Sequence, residues 1–558
     1  MPVVYSDARQ DHSPGAIDFG ELKMAVDERR LYLSLEIGVN EINMQENNRI
    51  AMYIDADHNT ATGASFNGIG AELEWRFGER LGVFWQDGGF TQIIHSAVSL
   101  VTSPTVSSTR FEIALDLEAT PDGLNPLFTS DSIRIAFTEK TSAGDFLPES
   151  GETLTYTFDK TLAPNVTPKT LAKFKTDDLR ILSWNVEFDG LFDPAPERRG
   201  AFSRILRAVR PDVIGFQEIY NASAEDVLLL MQAVLPLSED QRWYAAKQGP
   251  DNIVAARFPI TKSIATTGNG AFLLNLRPEF DSDLFLIVAH PPCCGNDTGR
   301  QFEIDAMMAL IRDAKQGKHD VIDLPAQTPI VIVGDFNLVG QSQQLTSLLT
   351  GEIINPEFGA SFSPDWDDSD FEMLLPRHVA SRMFFTWFRE TSSFSPGKLD
   401  FIIYSGSVFE PQNSYTLFTR DLPNDTLSVY LLNPEDATIA SDHLPVIGDF
   451  RLRTTTSVQD QSFAPREFDL SVANYPNPFN AGTTFTFTLP KEEFVSLDVF
   501  SIAGKLISTV VKGSFQSGEH SVNWSGVDRN GAVLSSGVYF YRLLAGGSRR
   551  TQKLILLR

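Results

Sequence analysis

A chain of 558 residues is too long for one hydrophobic core, and its length predicts about three or four domains. Acidic residues outnumber basic ones by 72 to 46, which gives a formal net charge of −26 at pH 7. This charge repels polyanions, so it argues against a protein that binds nucleic acid through bulk electrostatics. No apolar run reaches the ~18 residues that a membrane-spanning helix needs.

The first residues and the cysteines bear on the cellular compartment. The stretch MPVVYSDARQDHSPG has neither the basic nor the apolar part of a signal peptide, so either the protein stays inside the cell or the sequence is a mature form. The two cysteines, Cys293 and Cys294, are adjacent. Their position excludes a disulfide framework and favours two free thiols over a vicinal bridge.

Residues 1–160 predict an all-β accessory module. Short, partly alternating strands are separated by Gly, Asn and Asp turns, a spacing typical of a β-sandwich. The predicted strands are 31–39, 49–57, 71–79, 80–86, 110–117 and 132–140. The segment YIDADHNTATG, followed by GIGAELEW, resembles the family 9 carbohydrate-binding and DOMON-like sandwich modules.

The loop in that segment predicts a cation site. Asp55, Asp57 and Asn59 place oxygens at alternate positions, and Glu72 follows downstream. Hard cations take several oxygen ligands, so these four side chains are candidate ligands for a structural Ca²⁺. A polar hairpin loop without an ion fits the same residues.

Two tryptophans of this module suggest a glycan as a partner. Trp75 and Trp85 are candidates for a platform on which a sugar ring stacks. Tryptophans in strands also pack in hydrophobic cores, and that interpretation stays open.

Residues 161–177 predict a linker, because Pro, Thr and Lys occur there without a helical or strand period.

The domain that follows, 178–453, alternates strand and helix patterns. Helices are predicted at 201–210, at 223–235 behind a serine N-cap, and at 300–315. An α/β-hydrolase is disfavoured, because the sequence has no G-x-S-x-G turn, and no P-loop follows a strand.

Five short patches of this domain combine apolar, strand-like residues with polar residues that chemistry uses. They read LRILSWNV (179–186), DVIGFQEIY (212–220), FLIVAHPP (285–292), IVIVGDFNLVG (330–340) and ASDHLPV (440–446). The polar residues are Asn185, Glu218, His290, Asp335 with Asn337, and Asp442 with His443. Since polar groups at strand ends lie at the rim of a sheet, the patches predict a metal-plus-histidine site for hydrolysis at phosphorus.

In this order the patches resemble the endonuclease/exonuclease/phosphatase superfamily. Its members include pancreatic deoxyribonuclease, AP endonucleases, bacterial sphingomyelinases and inositol-polyphosphate phosphatases. The resemblance covers residues 175–453, about half the chain. It implies a deoxyribonuclease-like fold, an α/β two-sheet sandwich flanked by helices, within a multidomain protein.

The resemblance also implies a metal site and a general base. Glu218, with Asp442 and Asn185, would hold a catalytic Mg²⁺ or Mn²⁺. His443 would be the base that activates water, and Asp400 in the predicted strand KLDFIIYS (398–405) would orient it.

The remaining patch residues would act on the phosphate. Asp335 and Asn337 would hold the water or the non-bridging oxygens, although some family members use the Asp335 equivalent as the base. His290 would donate to a phosphate oxygen or protonate the leaving group. Trp387 resembles a family tryptophan that packs beside the site. Candidates for cationic groups in the cleft are Arg300, Arg377, His378, Arg382 and Lys398.

A second linker is predicted at 454–466, followed by a third domain at 467–558. Short strands with Gly turns, the YPNPFN opening and the basic KLILLR end resemble the Ig-like sorting domains of type IX secretion and the Ig-like domain of the flagellar hook cap family. This resemblance implies the secretion machinery as a partner and a secreted or cell-surface protein. A plain Ig-like stability domain fits the same pattern.

The sequence therefore predicts a secreted, divalent-metal-dependent phosphoesterase, a nuclease or other phosphodiesterase acting on nucleic acid or a small diester. One alternative is a phosphatase or sphingomyelinase-like enzyme on inositol phosphates or phospholipid. The other is a surface- or glycan-binding protein with an inactive central domain. The loops carry no motif that names the substrate.

Overall fold

The computed structural model describes residues 1–8, 17–38, 40–86, 88–141, 144–163, 166–277, 279–453, 472–475, 477, 479–480, 482–489, 493–501, 505–516, 518–529, 531–545 and 548–556. The chain divides into two compact units, Met1–Thr454 and Thr455–Arg558. The predicted linker 454–466 lies outside the described residues. Within the described part of the chain, no helix is long and apolar enough to cross a membrane.

The N-terminal module is a sandwich of two antiparallel sheets. One sheet holds, in order, Val3–Ser6, Glu21–Val26, Arg30–Glu36, Arg110–Asp116 and Val101–Ser103. The other holds, in order, Phe146–Leu147, Ser132–Glu139, Ile50–Asp55, Leu73–Arg76, Leu81–Gln86 and Gly89–Ile93. Leu154–Thr157 also pairs with Ser132–Glu139. Ala64–Phe66 and Ile69–Ala71 form a separate two-stranded hairpin. A continuous apolar core lies between the sheets. Alternating burial along the strands produces this core, because successive side chains point to opposite faces.

Trp75 belongs to that core and is 2% exposed. Its ring is therefore unavailable to a sugar, and the stacking platform predicted from Trp75 and Trp85 is wrong. Trp85 is partly buried and packs against the ring of Phe90, with the ring centroids 5.1 Å apart.

The central domain contains two six-stranded sheets packed face to face. The first holds, in order, Tyr244–Gln248, Asn252–Ala256, Val213–Gln217, Leu179–Asn185, Val446–Leu452 and Phe409–Thr416. The second holds Ile260–Thr266, Asn269–Asn275, Asp283–Ala289, Ile330–Asp335, Asp400–Tyr404 and Glu372–Met373. Inner strands are buried on both faces, which explains their nearly continuous apolar sequence. The predicted fold class is confirmed.

Helices cover the outer faces of both sheets. The α-helices of the described residues are Pro196–Val209, Ala224–Val234, Asp297–Lys315, Gln343–Thr350, Asn424–Tyr430 and Asp436–Ala440, and 3₁₀ turns occur at His95–Val98, Gly190–Phe192, Pro356–Phe358 and Thr419–Asp421. Ser223 caps the second α-helix through a capping box with Asp226, as its sequence predicts. The helical side chains complete two further apolar cores.

The N-terminal sandwich packs directly on the central domain. The Ser107 amide donates to the Gly340 carbonyl at 2.8 Å, and Thr105 Oγ1 donates to the Leu338 carbonyl at 2.6 Å. Val106 enters an apolar core of the central domain. Sandwich and central domain therefore form one compact unit.

The segment predicted as the linker 161–177 also lies against the central domain in its described part. Leu171 is 1% exposed, and its carbonyl accepts hydrogen bonds from Arg180 at 2.7 Å and from the Tyr415 hydroxyl at 3.2 Å. These contacts hold the segment in place beside the first central sheet.

The C-terminal unit is a smaller all-β domain with its own core. One sheet holds Val472–Tyr475, Thr483–Leu489 and Gly518–Trp524. The other holds Leu506–Phe515, Glu493–Ser501, Gly537–Ala545 and Ser548–Leu556. Buried aromatic and aliphatic side chains from both sheets form the core, as in an Ig-like sandwich.

Candidate active site

Two parallel strand pairs bring the predicted polar residues to one rim of the central domain. In the first sheet, Asn185 is the last residue of its strand and pairs in register with Gln217, so Glu218 follows at the same edge. In the second sheet, Ala289 pairs in register with Gly334, so His290 and Asp335 share an edge. Parallel strands end at the same side of a sheet, which is why separate sequence patches converge.

Two further residues reach this rim from strands that run the opposite way. Asp400 begins a strand antiparallel to Ile330–Asp335 and lies in register with Asp335. His443 precedes the strand Val446–Leu452, which is antiparallel to Leu179–Asn185. The beginning of an antiparallel strand lies beside the end of its neighbour, so these residues join the same group.

The carboxylate of Asp335 is the centre of this group. Its Oδ2 lies 3.1 Å from Asn185 Nδ2, 3.4 Å from His443 Nε2 and 3.6 Å from His290 Nε2. Asn185 Nδ2 also donates to Glu218 Oε1 at 2.9 Å. We call Asn185, Glu218, His290, Asp335 and His443 the Asp335 cluster. It is a compact set of acidic, amide and imidazole groups on rigid strand ends.

Each histidine of the cluster has a carboxylate behind it. His443 Nδ1 donates to Asp400 Oδ2 at 2.9 Å, and His290 Nδ1 donates to Asp251 Oδ2 at 2.6 Å. Both pairs fix the ring orientation and leave Nε2 directed at Asp335.

The sequence did not predict Asp251. Four of the five predicted patches place polar residues after apolar strands, and the residues predicted before a strand came from the family resemblance or the fifth patch. Asp251 precedes the strand Asn252–Ala256, which is antiparallel to Val213–Gln217, and belongs to none of the patches. The signal was a carboxylate directly before an apolar run, but its significance depends on knowing the strand direction.

The carboxylates raise the pKa of both histidines. Burial opposes their charge, but for His443 the Asp400 and Asp335 carboxylates outweigh it and raise the pKa to about 10. For His290 the hydrogen bond to Asp251, followed by the charge of Asp335, raises the pKa to about 9. Burial raises the pKa of Asp400 despite its contact with His443. The site is thus rich in negative charge and suited to a cation.

Glu218 of the cluster and the neighbouring Asn337 adopt backbone conformations that most residues avoid. Glu218 has φ 62° and Asn337 has φ 51°, both in the left-handed region. Glu218 Oε2 accepts from the Phe188 amide at 3.0 Å, and the Asn337 amide donates to Asp335 Oδ1 at 3.0 Å. Surrounding contacts must hold such conformations, which occur preferentially at functional sites.

Comparison with known proteins identifies two of the domains. Residues 182–443 match the model of the Endonuclease/Exonuclease/phosphatase family, and residues 474–547 match the FlgD Ig-like domain. The central domain is an endonuclease/exonuclease/phosphatase domain. Members of this family hydrolyse phosphoester bonds. No curated protein was found to match the chain.

Several solved structures resemble the endonuclease/exonuclease/phosphatase domain. The human Nocturnin catalytic domain with bound sulfate is 14% identical over 51% of this chain and 97% of its own, with a TM-score of 0.30. D. rerio TDP2 complexed with a single-strand DNA product is 15% identical over 49% of this chain and 99% of its own, with a TM-score of 0.31. ANGEL2, a 2',3'-cyclic phosphatase, in complex with adenosine-2',3'-vanadate is 15% identical over 49% of this chain and 96% of its own, with a TM-score of 0.34. Likeness at this level carries no information on the substrate of this chain.

In this endonuclease/exonuclease/phosphatase domain, Asp442 stands apart from the Asp335 cluster. Its Oδ2 accepts from Arg389 Nη2 at 2.8 Å and from Trp387 Nε1 at 2.9 Å. The charge of Asp442 is therefore already paired. The carboxylate and imidazole groups close enough to share an ion are Glu218, His290 and Asp335 on one side, and Asp335, Asp400 and His443 on the other.

The cations predicted for the cleft lie elsewhere. Arg300 is 0% exposed and donates to the carbonyls of Pro292 and Cys294, which fixes the loop after His290. Arg377 donates to the carbonyls of His378, Val379 and Ser381. His378 is buried beside Asp421. Arg382 and Lys398 line a different, smaller cleft. Their predicted role in binding anionic substrate is wrong, because none of them lines the cleft that contains the Asp335 cluster.

Cys293 and Cys294 also differ from the prediction. The structure joins them as a vicinal disulfide rather than leaving two thiols. Both residues line the cleft beside Pro292.

The N-terminal loop forms a second acidic group. Asp55, Asp57 and Glu72 bring carboxylate oxygens within 4.8 Å of one another. The buried atoms Asp55 Oδ1 and Glu72 Oε1 have no hydrogen-bond partner among the described residues. Burial, together with the Asp57 and Asp55 charges, raises the pKa of Glu72. Asn59 sits in the same loop, where its Oδ1 accepts from the Ala61 amide at 3.1 Å.

Proposed function

We propose that the central domain hydrolyses phosphate diesters with a bound divalent cation, Mg²⁺ or Mn²⁺. The observation that supports this most is the convergence of two carboxylate-paired histidines on Asp335, beside Glu218. Hydrolysis at phosphorus needs an oriented base, a proton donor and a means of neutralising phosphate charge. The Asp335 cluster offers residue types suited to each task.

The donor set suits a hard cation. Glu218 and Asp335 provide carboxylate oxygens, and the Asn185 amide holds both in place through its Nδ2. When bound, the ion would neutralise phosphate charge and stabilise the leaving oxygen. The ligand role predicted for Asp442 stays a prediction, and it requires that Arg389 release the Oδ2 atom it now contacts.

The histidines would divide the proton transfers. A bound cation beside Asp335 would oppose the charged form of His443, and His443 Nε2 would then take a proton from the attacking water while Asp400 keeps the imidazole oriented. His290 Nε2 would donate to a phosphate oxygen or to the leaving group, with Asp251 supporting its charged form. Asn337 holds Asp335 through its backbone amide and is among the residues that line the cleft.

A substrate panel tests the reaction class. Purified protein should hydrolyse a nitrophenyl diester with Mg²⁺ or Mn²⁺, lose this activity in EDTA, and lose it by orders of magnitude in Glu218→Ala while circular dichroism shows a retained fold. His520→Ala, in the other compact unit, is a matched control. Full activity in EDTA would contradict the proposal. Faster hydrolysis of a monoester or of sphingomyelin would favour the phosphatase or sphingomyelinase alternative, and no hydrolysis at all would favour a binding protein.

For the N-terminal module we propose a structural Ca²⁺ held by Asp55, Asp57 and Glu72, with Asn59 beside them. Buried carboxylate oxygens without donors are costly unless a cation satisfies them, and Asp55 and Glu72 each carry one. Arg134 pairs with the other oxygen of Asp55 at 3.1 Å, so that residue is also anchored to the sheet.

For the C-terminal Ig-like domain we propose a sorting role that directs the protein to the cell surface or medium. The YPNPFN opening and the basic end of the chain support it. A chain ending near Thr455 should keep its turnover number but remain inside the cell or in the periplasm of a native-like host. Export of that shortened chain would contradict the sorting role, and loss of turnover would contradict the separation of the two functions.

A further inference from the structure

The cleft around the Asp335 cluster is built from two domains. Its volume is about 620 Å³, and its lining includes Asn43, Gln45, Glu46 and Thr105 of the N-terminal sandwich. The opposite lining comes from the central domain and contains the Asp335 cluster itself, apart from the buried Asn185. The accessory sandwich therefore forms a wall of the catalytic cleft.

Hydrogen bonds hold this wall in place. Asn43 Nδ2 donates to the Val339 carbonyl at 2.5 Å, and the Ser395 amide donates to Gln45 Oε1 at 2.8 Å. Asn48 Nδ2 ties the loop to itself through the carbonyls of Asn43 and Met44. A wall fixed by bonds to the central domain has a defined distance from the Asp335 cluster.

Arg80 joins the wall to an aromatic residue of the central domain. Its guanidinium carbon lies 4.1 Å from the centre of the Phe394 ring, and its Nη1 lies 3.7 Å from Glu46 Oε1. Glu46 and Phe394 both line the cleft. An acidic group of the sandwich and an aromatic group of the central domain thus meet at the cleft through Arg80.

The lining is poorly suited to a polyanion. No lysine or arginine lines the cleft in the part of the chain that the structure describes, whereas Glu46, Asp251 and Glu303 do. Nucleic-acid sites neutralise successive phosphates with cationic side chains. The lining does hold aromatic groups, among them Phe188 and Tyr220, whose rings stack with centroids 6.0 Å apart.

We propose that the N-terminal sandwich sets substrate specificity, so that the cleft accepts a compact diester with one phosphate and an aromatic or other apolar substituent. This inference rests on the phosphodiesterase activity proposed above. The phosphate would meet the Asp335 cluster, the apolar substituent would contact aromatic groups that line the cleft, Phe394 among them, and Glu46 would disfavour further phosphates. Glu46 and Phe394 would then be specificity-determining residues.

Three substrates separate these contributions in the full-length protein with Mn²⁺. They are phenyl p-nitrophenyl phosphate, methyl p-nitrophenyl phosphate and a single-stranded DNA oligonucleotide. The wild type should prefer the phenyl diester to the methyl diester in kcat/KM and should cleave the DNA poorly. Phe394→Ala should reduce the preference for the phenyl diester several-fold, through a higher KM for that substrate. Glu46→Lys should raise kcat/KM for DNA several-fold but should not raise kcat/KM for the methyl diester.

Glu118→Lys is the matched control, since it makes the same charge change at an exposed site of the sandwich outside the cleft. An equal gain on DNA in Glu118→Lys and Glu46→Lys would overturn the role of Glu46. An unchanged phenyl preference in Phe394→Ala, repeated with Phe394→Leu in case the alanine variant does not fold, would overturn the role of Phe394. Efficient DNA cleavage by the wild type would overturn the whole inference while leaving the proposed function standing. Absence of turnover on all three substrates would overturn both.

Discussion

In the part of the chain that the structure describes, two groups of clustered carboxylates differ in what surrounds them. The Asp335 cluster lies on strand ends of the central domain and includes two histidines, each with a second carboxylate behind it. The group of Asp55, Asp57 and Glu72 lies at a strand end and in a loop, without a histidine among the residues close enough to share an ion. Both can attract a cation, but only the first has imidazole groups, which can accept and donate a proton during a reaction.

This difference separates a catalytic site from a structural one. In the Asp335 cluster, nearby negative charge raises the pKa of His290 to about 9 and that of His443 to about 10. In the N-terminal group, the buried oxygens of Asp55 and Glu72 have no hydrogen-bond donor among the described residues. A bound cation would satisfy these oxygens without any proton transfer. The first three of the following predictions each test one side of this contrast.

The largest effect should come from removing a histidine. His443→Ala and His290→Ala should each reduce kcat by about 10²–10⁴-fold, the usual contribution of general acid–base catalysis. Calorimetry should still detect Mn²⁺ binding to each variant, because Glu218 and Asp335 remain. The variant site would then resemble the N-terminal group, in that it binds a cation with little catalysis. His319→Ala, a partly buried position that does not line the cleft, should change little. Near wild-type turnover in His443→Ala would refute its role as base.

A smaller effect should come from the carboxylate behind His290. Asp251→Asn keeps the shape but loses the charge that orients the imidazole, and such a change typically costs about 10–100-fold in activity. Because the Asp251 carboxylate raises the pKa of His290, the pH–rate limb that reports His290 should move to lower pH in this variant. A lower rate with an unmoved pH profile would show a merely structural role.

Calcium should affect the N-terminal group through stability rather than rate. A ligand that binds only the folded state stabilises it by about 2.7 kcal/mol at 100 times its dissociation constant, so the melting temperature should rise by a few degrees. Asp55→Asn combined with Asp57→Asn should abolish this increment without reducing phosphoesterase activity, whereas Glu118→Gln should keep it. A calcium increment that survives the double substitution would contradict the proposed ion site.

The smallest effect concerns Glu303, a cleft carboxyl outside both groups. Burial, with the charge of Asp251, raises its pKa from 4.5 to about 7, although Asn269 donates to it at 2.8 Å. A raised pKa in the folded state gives stability that is complete below pH 4.5 and lost as the pH rises through 7. In EDTA, the melting temperature of Glu303→Gln minus that of the wild type should therefore grow between pH 5 and pH 8. A constant difference would show that Glu303 titrates normally.

Local pattern was sufficient to predict the polar residues that follow apolar strands. Asn185 ends its strand, and Glu218 and His290 follow theirs directly, because a strand buried on both faces must be apolar until it reaches the rim. The serine N-cap of Ala224–Val234 was equally visible, since capping depends on residues three positions apart. The five patches in order also predicted the family fold.

The tertiary structure decided what local pattern does not contain. Asp251 reaches His290 because its strand runs antiparallel to Val213–Gln217, and Arg389 pairs with Asp442 across 53 positions of sequence. The docking of the sandwich against Val339 and Ser395 likewise joins residues 296 and 350 positions apart in the sequence. Sequence periodicity reports which face of a strand or helix is buried, because burial acts on each element along its own length. Strand direction, ion-pair choice and domain contact depend on which distant surfaces meet, and a single sequence carries no local signal for that choice.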